Sequence, residues 1–291
     1  MTVVSDWMKQ HPLIGVVGFP ALPGAIDYRG TSREEFIQRA IVDAQAYAQA
    51  GFDALMIQNV GDLPVAAQVG PEAVAWLSAL GSAIRAAVAL PLGVCVLKND
   101  GRAALAIAQA IGAVFVRVKV WVGAMVGAEG IVQGCAREVL HFRRTIGAEE
   151  IAVFADVHDR TGVPLAGMTL EETAHEAVWF GKADGLVITG RNEAETLEWL
   201  QRVKRAAPDV PIWAGGGATP KNISRLLMVA DGVIVATAAK VGGQLLNPVD
   251  RQAAEALRTA SAEYGKRVND RPSAVSSSCF SRGSQKARLI R

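Results

Sequence analysis

The chain has 291 residues, 51% of them hydrophobic and 20% charged, which suits one large globular domain of the α/β-barrel class. Uncharged stretches such as 13–26 and 103–116 are broken by Pro or Gly and fall short of the roughly 18 apolar residues that a membrane span requires. The net charge of +2 conceals an uneven distribution: Lys266, Arg267, Arg271, Arg282, Lys286, Arg288 and Arg291 face only Asp270 at the end of the chain, which puts +6 there and leaves about −4 on residues 1–265. The body is therefore no basic nucleic-acid platform.

Residues 1–15 lack a basic start followed by an apolar run and a small-residue cleavage site, so the expected location is the cytoplasm. Cys95, Cys135 and Cys279 are odd in number and widely spaced, which indicates neither a disulfide framework nor a zinc site. Residues 1–265 are expected to form a single barrel domain. The Ser-rich basic stretch 266–291 has too little apolar content to pack and is expected to be a disordered tail.

In chain order, short runs rich in Val and Ile recur roughly every thirty residues, at 14–19, 54–58, 92–97, 114–118, 151–155, 185–189, 211–215 and 232–236. Apolar residues between them are spaced for helices, as with Phe36, Ala40, Ile41, Ala44, Tyr47 and Ala48. Turns such as Lys182-Ala183-Asp184-Gly185 and Val229-Ala230-Asp231-Gly232 return the chain to the next strand. Eight strand-helix units in one chain predict a closed parallel (β/α)₈ TIM barrel, with a doubly wound sheet as the alternative.

A barrel of this kind builds its ligand site at the carboxyl ends of its strands. After the seventh run, Gly215-Gly216-Gly217 lets main-chain N–H groups approach an anion, and Thr219-Pro220-Lys221-Asn222 opens a helix. After the eighth, Ala236-Thr237-Ala238 supplies further amides, so the two loops together predict a phosphate cradle. Gly190, after the sixth run, is assigned to the same ligand.

Asp156 follows an apolar run, a costly place for a carboxylate unless it is paired, ligated or used, and is the first candidate for catalysis. An ion pair with Arg117 or Lys119 is the structural alternative. Arg117 alternates with Val116 and Val118 and should point into the barrel mouth, and His158 could share a face with Asp156. Lys98 and Lys119 are read as binding a second anionic group in preference to forming a Schiff base, because Thr189 occupies the sixth-strand position where barrel aldolases usually carry that lysine. Asn59 and Asn99 join the catalytic candidates, and Asp62 the binding ones. With Asp100 they offer hydrogen bonds to sugar hydroxyls or oxygen ligands for Mg²⁺, but no spacing compels a metal and none is assigned. The stiff turn 19–24 is suited to covering a ligand. No H-E-x-x-H, G-x-S-x-G or Walker pattern occurs, which leaves zinc hydrolysis, a serine triad and nucleoside-triphosphate chemistry without support.

Pro20-Ala-Leu-Pro-Gly24, Gln58-Asn-Val-Gly-Asp-Leu-Pro64, Gly93-Val-Cys-Val-Leu-Lys-Asn-Asp100, Phe115-Val-Arg-Val118, Phe154-Ala-Asp-Val157, Ile188-Thr-Gly190 and Asn247-Pro-Val-Asp250 together resemble the BtpA/SgcQ family from about residue 12 to about 258. One branch is named for photosystem I biogenesis and another for a sugar-utilisation gene setting, so the resemblance implies membership and no single reaction. This chain has His158-Asp159 where the family pattern implies Lys-His, Arg191-Asn192 where a second Thr-Gly is expected, and Gly215-Gly216-Gly217 where a Gly-Ser-Gly type of loop is usual. These departures point to a changed substrate. The density of ionisable strand ends favours an enzyme, one that takes a phosphorylated sugar, nucleotide or related small molecule and works as a homo-oligomer. The alternative is a non-catalytic assembly or regulatory factor.

Overall fold

The computed structural model describes residues 4–269, with side chains to residue 262. In chain order the strands are β1 (Leu13–Gly18), β2 (Ala54–Gln58), β3 (Leu92–Cys95), β4 (Phe115–Val118), β5 (Ala124–Gly127), β6 (Gly130–Gln133), β7 (Ala152–Val157), β8 (Gly162–Pro164), β9 (Gly185–Ile188), β10 (Ile212–Ala214) and β11 (Gly232–Val235). The helices are α1 (Arg33–Gln49), α2 (Pro71–Ala87), α3 (Gly101–Ile111), α4 (Ala136–Thr145), α5 (Leu170–Trp179), α6 (Glu193–Ala206), α7 (Ile223–Leu227) and α8 (Arg251–Asn269). Eight strands close a parallel barrel in the order β1-β11-β10-β9-β7-β4-β3-β2. Because β1 pairs with both β2 and β11, the sheet has no edge and the doubly wound alternative is excluded.

Residues 120–134, which show no long apolar run, form an excursion between β4 and α4. There β5 and β6 make a hairpin, and β8 joins it after β7 to give an antiparallel sheet of order β6-β5-β8. The fifth predicted strand also runs further than expected. Asp156 does not follow β7 but lies within it, in register with Val187 of β9.

Alternation along the strands decides what fills the barrel. Phe115, Ala152, Phe154, Val187, Trp213 and Ile234 belong to the interior cluster, whereas Val116, Val118, Val153, Ala155 and Val157 pack with the surrounding helices. Each large interior aromatic sits beside a glycine on a neighbouring strand: Phe115 pairs with Gly93, Phe154 with Gly185 and Trp213 with Gly232. A Cβ built on those glycines would lie 2.1, 2.3 and 2.7 Å from the respective rings. Phe154 stacks on Trp213 with centroids 3.6 Å apart, and Trp213 Nε1 donates to Met8 O at 3.0 Å, so the Asp6–Lys9 turn plugs the amino end of the barrel. Gly185→Ala is accordingly expected to lower stability by about 1–3 kcal/mol through overpacking, read as a shift in urea midpoint at unchanged slope. A loss below about 0.5 kcal/mol would show that the ring can retreat.

The short turns entering the strands carry a device that composition did not reveal. Asp53, Asp184 and Asp231 each accept a main-chain N–H from the start of an adjacent strand, from Leu13, Val153 and Ile212, at 2.9 Å. Each is also paired with a cation, Arg258, Arg143 or Lys204. Among the described residues no helix is long and apolar enough to cross a membrane. The tail expected over 266–291 lies outside the described residues beyond 269.

Candidate functional site

The inward columns of β4 and β7 change from apolar to charged at one level, just above the aromatic layer. Arg117 follows Phe115 inward and Asp156 follows Phe154, so two buried ionised side chains are aimed across the mouth. Arg117 grips Asp156 through two parallel hydrogen bonds, Nε to Oδ1 at 2.7 Å and Nη2 to Oδ2 at 2.9 Å. Lys119 Nζ donates to the same Oδ2 and stands 3.3 Å from Asp159 Oδ1. Asp159 Oδ2 lies 3.2 Å from Lys98 Nζ, which is 3.1 Å from Glu129 Oε1 on the β5–β6 turn. Thr161 donates its hydroxyl to Asp159 at 2.7 Å and accepts from Lys98. The result is a chain of alternating sign, Arg117–Asp156–Lys119–Asp159–Lys98–Glu129, that ties the barrel to the hairpin.

Burial alone would disfavour these charges, and their neighbours reverse its effect. It works against the Arg117 cation, yet the Asp156 carboxylate holds the guanidinium above its ordinary range. It likewise pushes Asp159 up, but Lys119, the Thr161 hydroxyl and Lys98 together hold that carboxyl well below the usual range. Lys98 is desolvated, and Asp159 and Glu129 still raise it. Cys95, wholly buried beneath Arg117, has its thiol pushed up to about 11 by burial and packs as a small apolar residue.

All of this network except Asp156, which stands behind its cations, lines one side of a cavity of about 630 Å³ at the carboxyl ends of the strands. The opposite side is main chain. Gly216, Gly217 and Ala218 after β10, and Thr237 and Ala238 after β11, all line the cavity. Among the described residues none of their backbone N–H groups donates a hydrogen bond. Gly217 adopts φ 74°, the left-handed region that favours glycine. Asn222 holds that turn, donating Nδ2 to Gly217 O at 3.0 Å and accepting Thr219 N–H on Oδ1 at 2.7 Å. Gly215 serves otherwise: its N–H donates to Ile188 O at 2.8 Å, and a Cβ there would lie 2.1 Å from Thr189 Oγ1. Ala236 lines the cavity while its carbonyl accepts from Ala239 N–H.

Other candidates serve the scaffold. Asn59 accepts Leu97 N–H at 2.8 Å and donates to Asp62, while Asp62 accepts Leu22 N–H at 2.8 Å. Asn99 accepts Val120 N–H at 2.7 Å and donates to Val120 O and Gln133 O, which fastens the hairpin. Asp100 caps α3 through Ala103 N–H and also binds Val69 N–H. The four oxygen donors weighed for Mg²⁺ are thus committed to main chain, and no cluster of three or more His, Cys, Asp or Glu suited to a metal occurs among the described residues. Gly190 gives its N–H to Thr196 Oγ1 at 3.1 Å and stays small because a Cβ would lie 2.6 Å from Thr196 N. His158 has φ 52°, bonds Thr173 Oγ1 at 3.0 Å and does not line the cavity. Burial and then Arg202 keep its imidazole below the ordinary value. The 19–24 turn, expected to cover a ligand, closes instead on the next loop, where a Cβ at Gly61 would lie 2.3 Å from Ala21 N.

Asp159, Glu129, Thr161, Thr189 and Asn222 were not singled out as site residues. Asp159 was detectable from its place three residues after Asp156. Glu129 was signalled only by the turn Gly127-Ala128-Glu129-Gly130 between two short apolar pairs.

The fold and cavity define a TIM barrel of the architecture found in metabolic enzymes. A chain of tryptophan synthase from M. tuberculosis superposes with a TM-score of 0.56 at 16% identity, over 87% of this chain and 94% of that one, which speaks to the fold alone. The model of the BtpA family matches residues 9–263, and the chain belongs to that family. An uncharacterized protein of Pyrococcus furiosus is 39% identical over 254 residues, 87% of this chain and 95% of its own. A Synechocystis protein called photosystem I biogenesis protein BtpA is 33% identical over 266 residues, 90% of this chain and 92% of its own.

Proposed function

We propose that the protein is an enzyme that binds a phosphorylated small molecule, a sugar phosphate, nucleotide or related metabolite, at the carboxyl end of its barrel. The observation that carries this reading is the set of five unengaged main-chain N–H groups lining one cavity with a buried ionic network across from them. Such donors stabilise an anion without the desolvation cost of another buried side-chain charge. Asp156, behind the opposite wall, holds Arg117 and Lys119 and orients these cations for the reacting end. Isomerase, lyase and glycosyl-bond chemistry are all compatible with this arrangement. A cytoplasmic location and a homo-oligomer are part of the same reading, the oligomer supported by the exposed, cross-strand row Ile131, Val126 and Val163.

Inorganic phosphate and a panel of phosphate esters should raise the melting temperature of the wild-type protein in a concentration-dependent way. Gly216→Asp should abolish that rise, because it brings a negative charge to the anion site, where its Cβ would meet only Thr189 Cγ2 at 3.9 Å although the backbone there, at φ 158°, favours glycine. No response in the wild type, or an undiminished one in the variant, would remove the phosphate reading. The second reading, a barrel serving an assembly process, draws on the name of the Synechocystis relative. It requires a protein partner recovered from native extract and no turnover of any ester that binds.

A further inference from the structure

We propose that Thr189 is a specificity-determining residue that receives a neutral oxygen of the ligand next to its phosphate, so that the ligand is a monophosphate ester of a hydroxylated or keto carbon skeleton. This inference rests on the phosphate reading above. Thr189 follows β9, beside the strand that carries the glycine loop, and is 4% exposed. Its Oγ1 is buried and has no hydrogen-bond partner, although the residue lines the cavity. A buried hydroxyl left unpaired is costly, and such groups mark places completed by something else.

The geometry around Gly215 says where that something enters. A Cβ at Gly215 would lie 2.1 Å from Thr189 Oγ1 and 2.9 Å from Arg117 Nη2, so the glycine is what lets the hydroxyl and the guanidinium converge, no more than about 5 Å apart, against the main chain that leads into the Gly216–Gly217 turn. Arg117 Nη1 makes only a long contact of 3.5 Å with Gly215 O. Thr189 Oγ1 and the Arg117 guanidinium thus stand together on the cavity that Gly216 and Gly217 also line, where both can donate to an oxygen of the ligand.

Charge fixes the class of that oxygen. Lys98, Arg117 and Lys119 are each compensated by Glu129, Asp159 or Asp156. Arg160, exposed at the rim, is the lining cation without a carboxylate partner among the described residues. One phosphate is thus matched by charge and a second anionic group is not, which favours a monophosphate over a bisphosphate.

The test titrates wild-type protein, Thr189→Val and Thr189→Ser with inorganic phosphate, pentose and hexose monophosphates, and the corresponding bisphosphates, by calorimetry. At least one monophosphate should bind the wild type more tightly than inorganic phosphate does. Thr189→Val should weaken that ester by roughly 5- to 100-fold while leaving inorganic phosphate unchanged, and Thr189→Ser should restore it. Because valine has the same shape and removes an unpaired hydroxyl, the variant should fold at least as stably as the wild type. The inference is overturned if valine weakens neither ligand or both equally, if no monophosphate exceeds inorganic phosphate, or if bisphosphates bind best. Failure of inorganic phosphate and every ester to bind the wild type is a different outcome, which sinks the phosphate reading and this one with it.

Discussion

Asp156→Ala is expected to cost about 3–5 kcal/mol of folding stability, the range for removing one partner of a buried charge pair. The loss comes less from missing attraction than from what remains. Arg117 is 6% exposed and would keep its charge with no bidentate partner, and Lys119 would fall back on Asp159 alone. Asp156→Asn keeps the shape and should cost less, while still leaving two cations facing a neutral amide. The double variant Arg117→Met/Asp156→Leu separates stability from function. It replaces the pair with apolar groups of similar bulk, so it should regain most of the stability while losing any turnover and the discrimination among phosphate esters. Urea unfolding of the three variants measures the first effect, and ligand titration the second. A single-variant loss under about 1 kcal/mol would mean that water already screens the network.

The same residues show where a sequence reveals its fold and where it stops. Eight Val- and Ile-rich runs were visible because a parallel barrel buries both faces of every strand, and burial of that kind leaves a continuous apolar signature. The site followed partly from it. Arg117, Lys119, Lys98, Gly216, Gly217 and Thr237 were placed at strand ends and do line one cavity. Asn59, Asn99, Asp62 and Gly190 occupy equivalent positions in the sequence yet serve neighbouring loops. A polar residue after a strand can face the ligand or satisfy irregular main chain, and nothing local distinguishes the two. Glu129 has only a faint signature in the sequence because its position depends on a hairpin whose strands are only four residues each.

Asp43→Ala is the complementary experiment, directed at the other wall. Asp43 on α1 is 1% exposed, accepts Val249 N–H at 2.7 Å and stands 3.3 Å from Nζ of Lys240, whose side chain is fully buried over the Tyr47 ring. Burial depresses the Lys240 pKa and Asp43 opposes that effect. The pair anchors the chain immediately after Thr237 and Ala238, where Lys240 N–H also donates to Thr237 O. Removing Asp43 leaves a buried ammonium and a buried N–H without their acceptor, and should cost about 3–5 kcal/mol. It should also loosen one half of the proposed cradle, so inorganic phosphate should bind more weakly to the fraction that remains folded. Gly185→Ala supplies the control, since it strains the barrel interior below the site and should lower stability without changing phosphate affinity. Equal phosphate affinity in both variants would show that the 237–240 segment holds its position without the Lys240 anchor, and that α1 contributes to the fold alone.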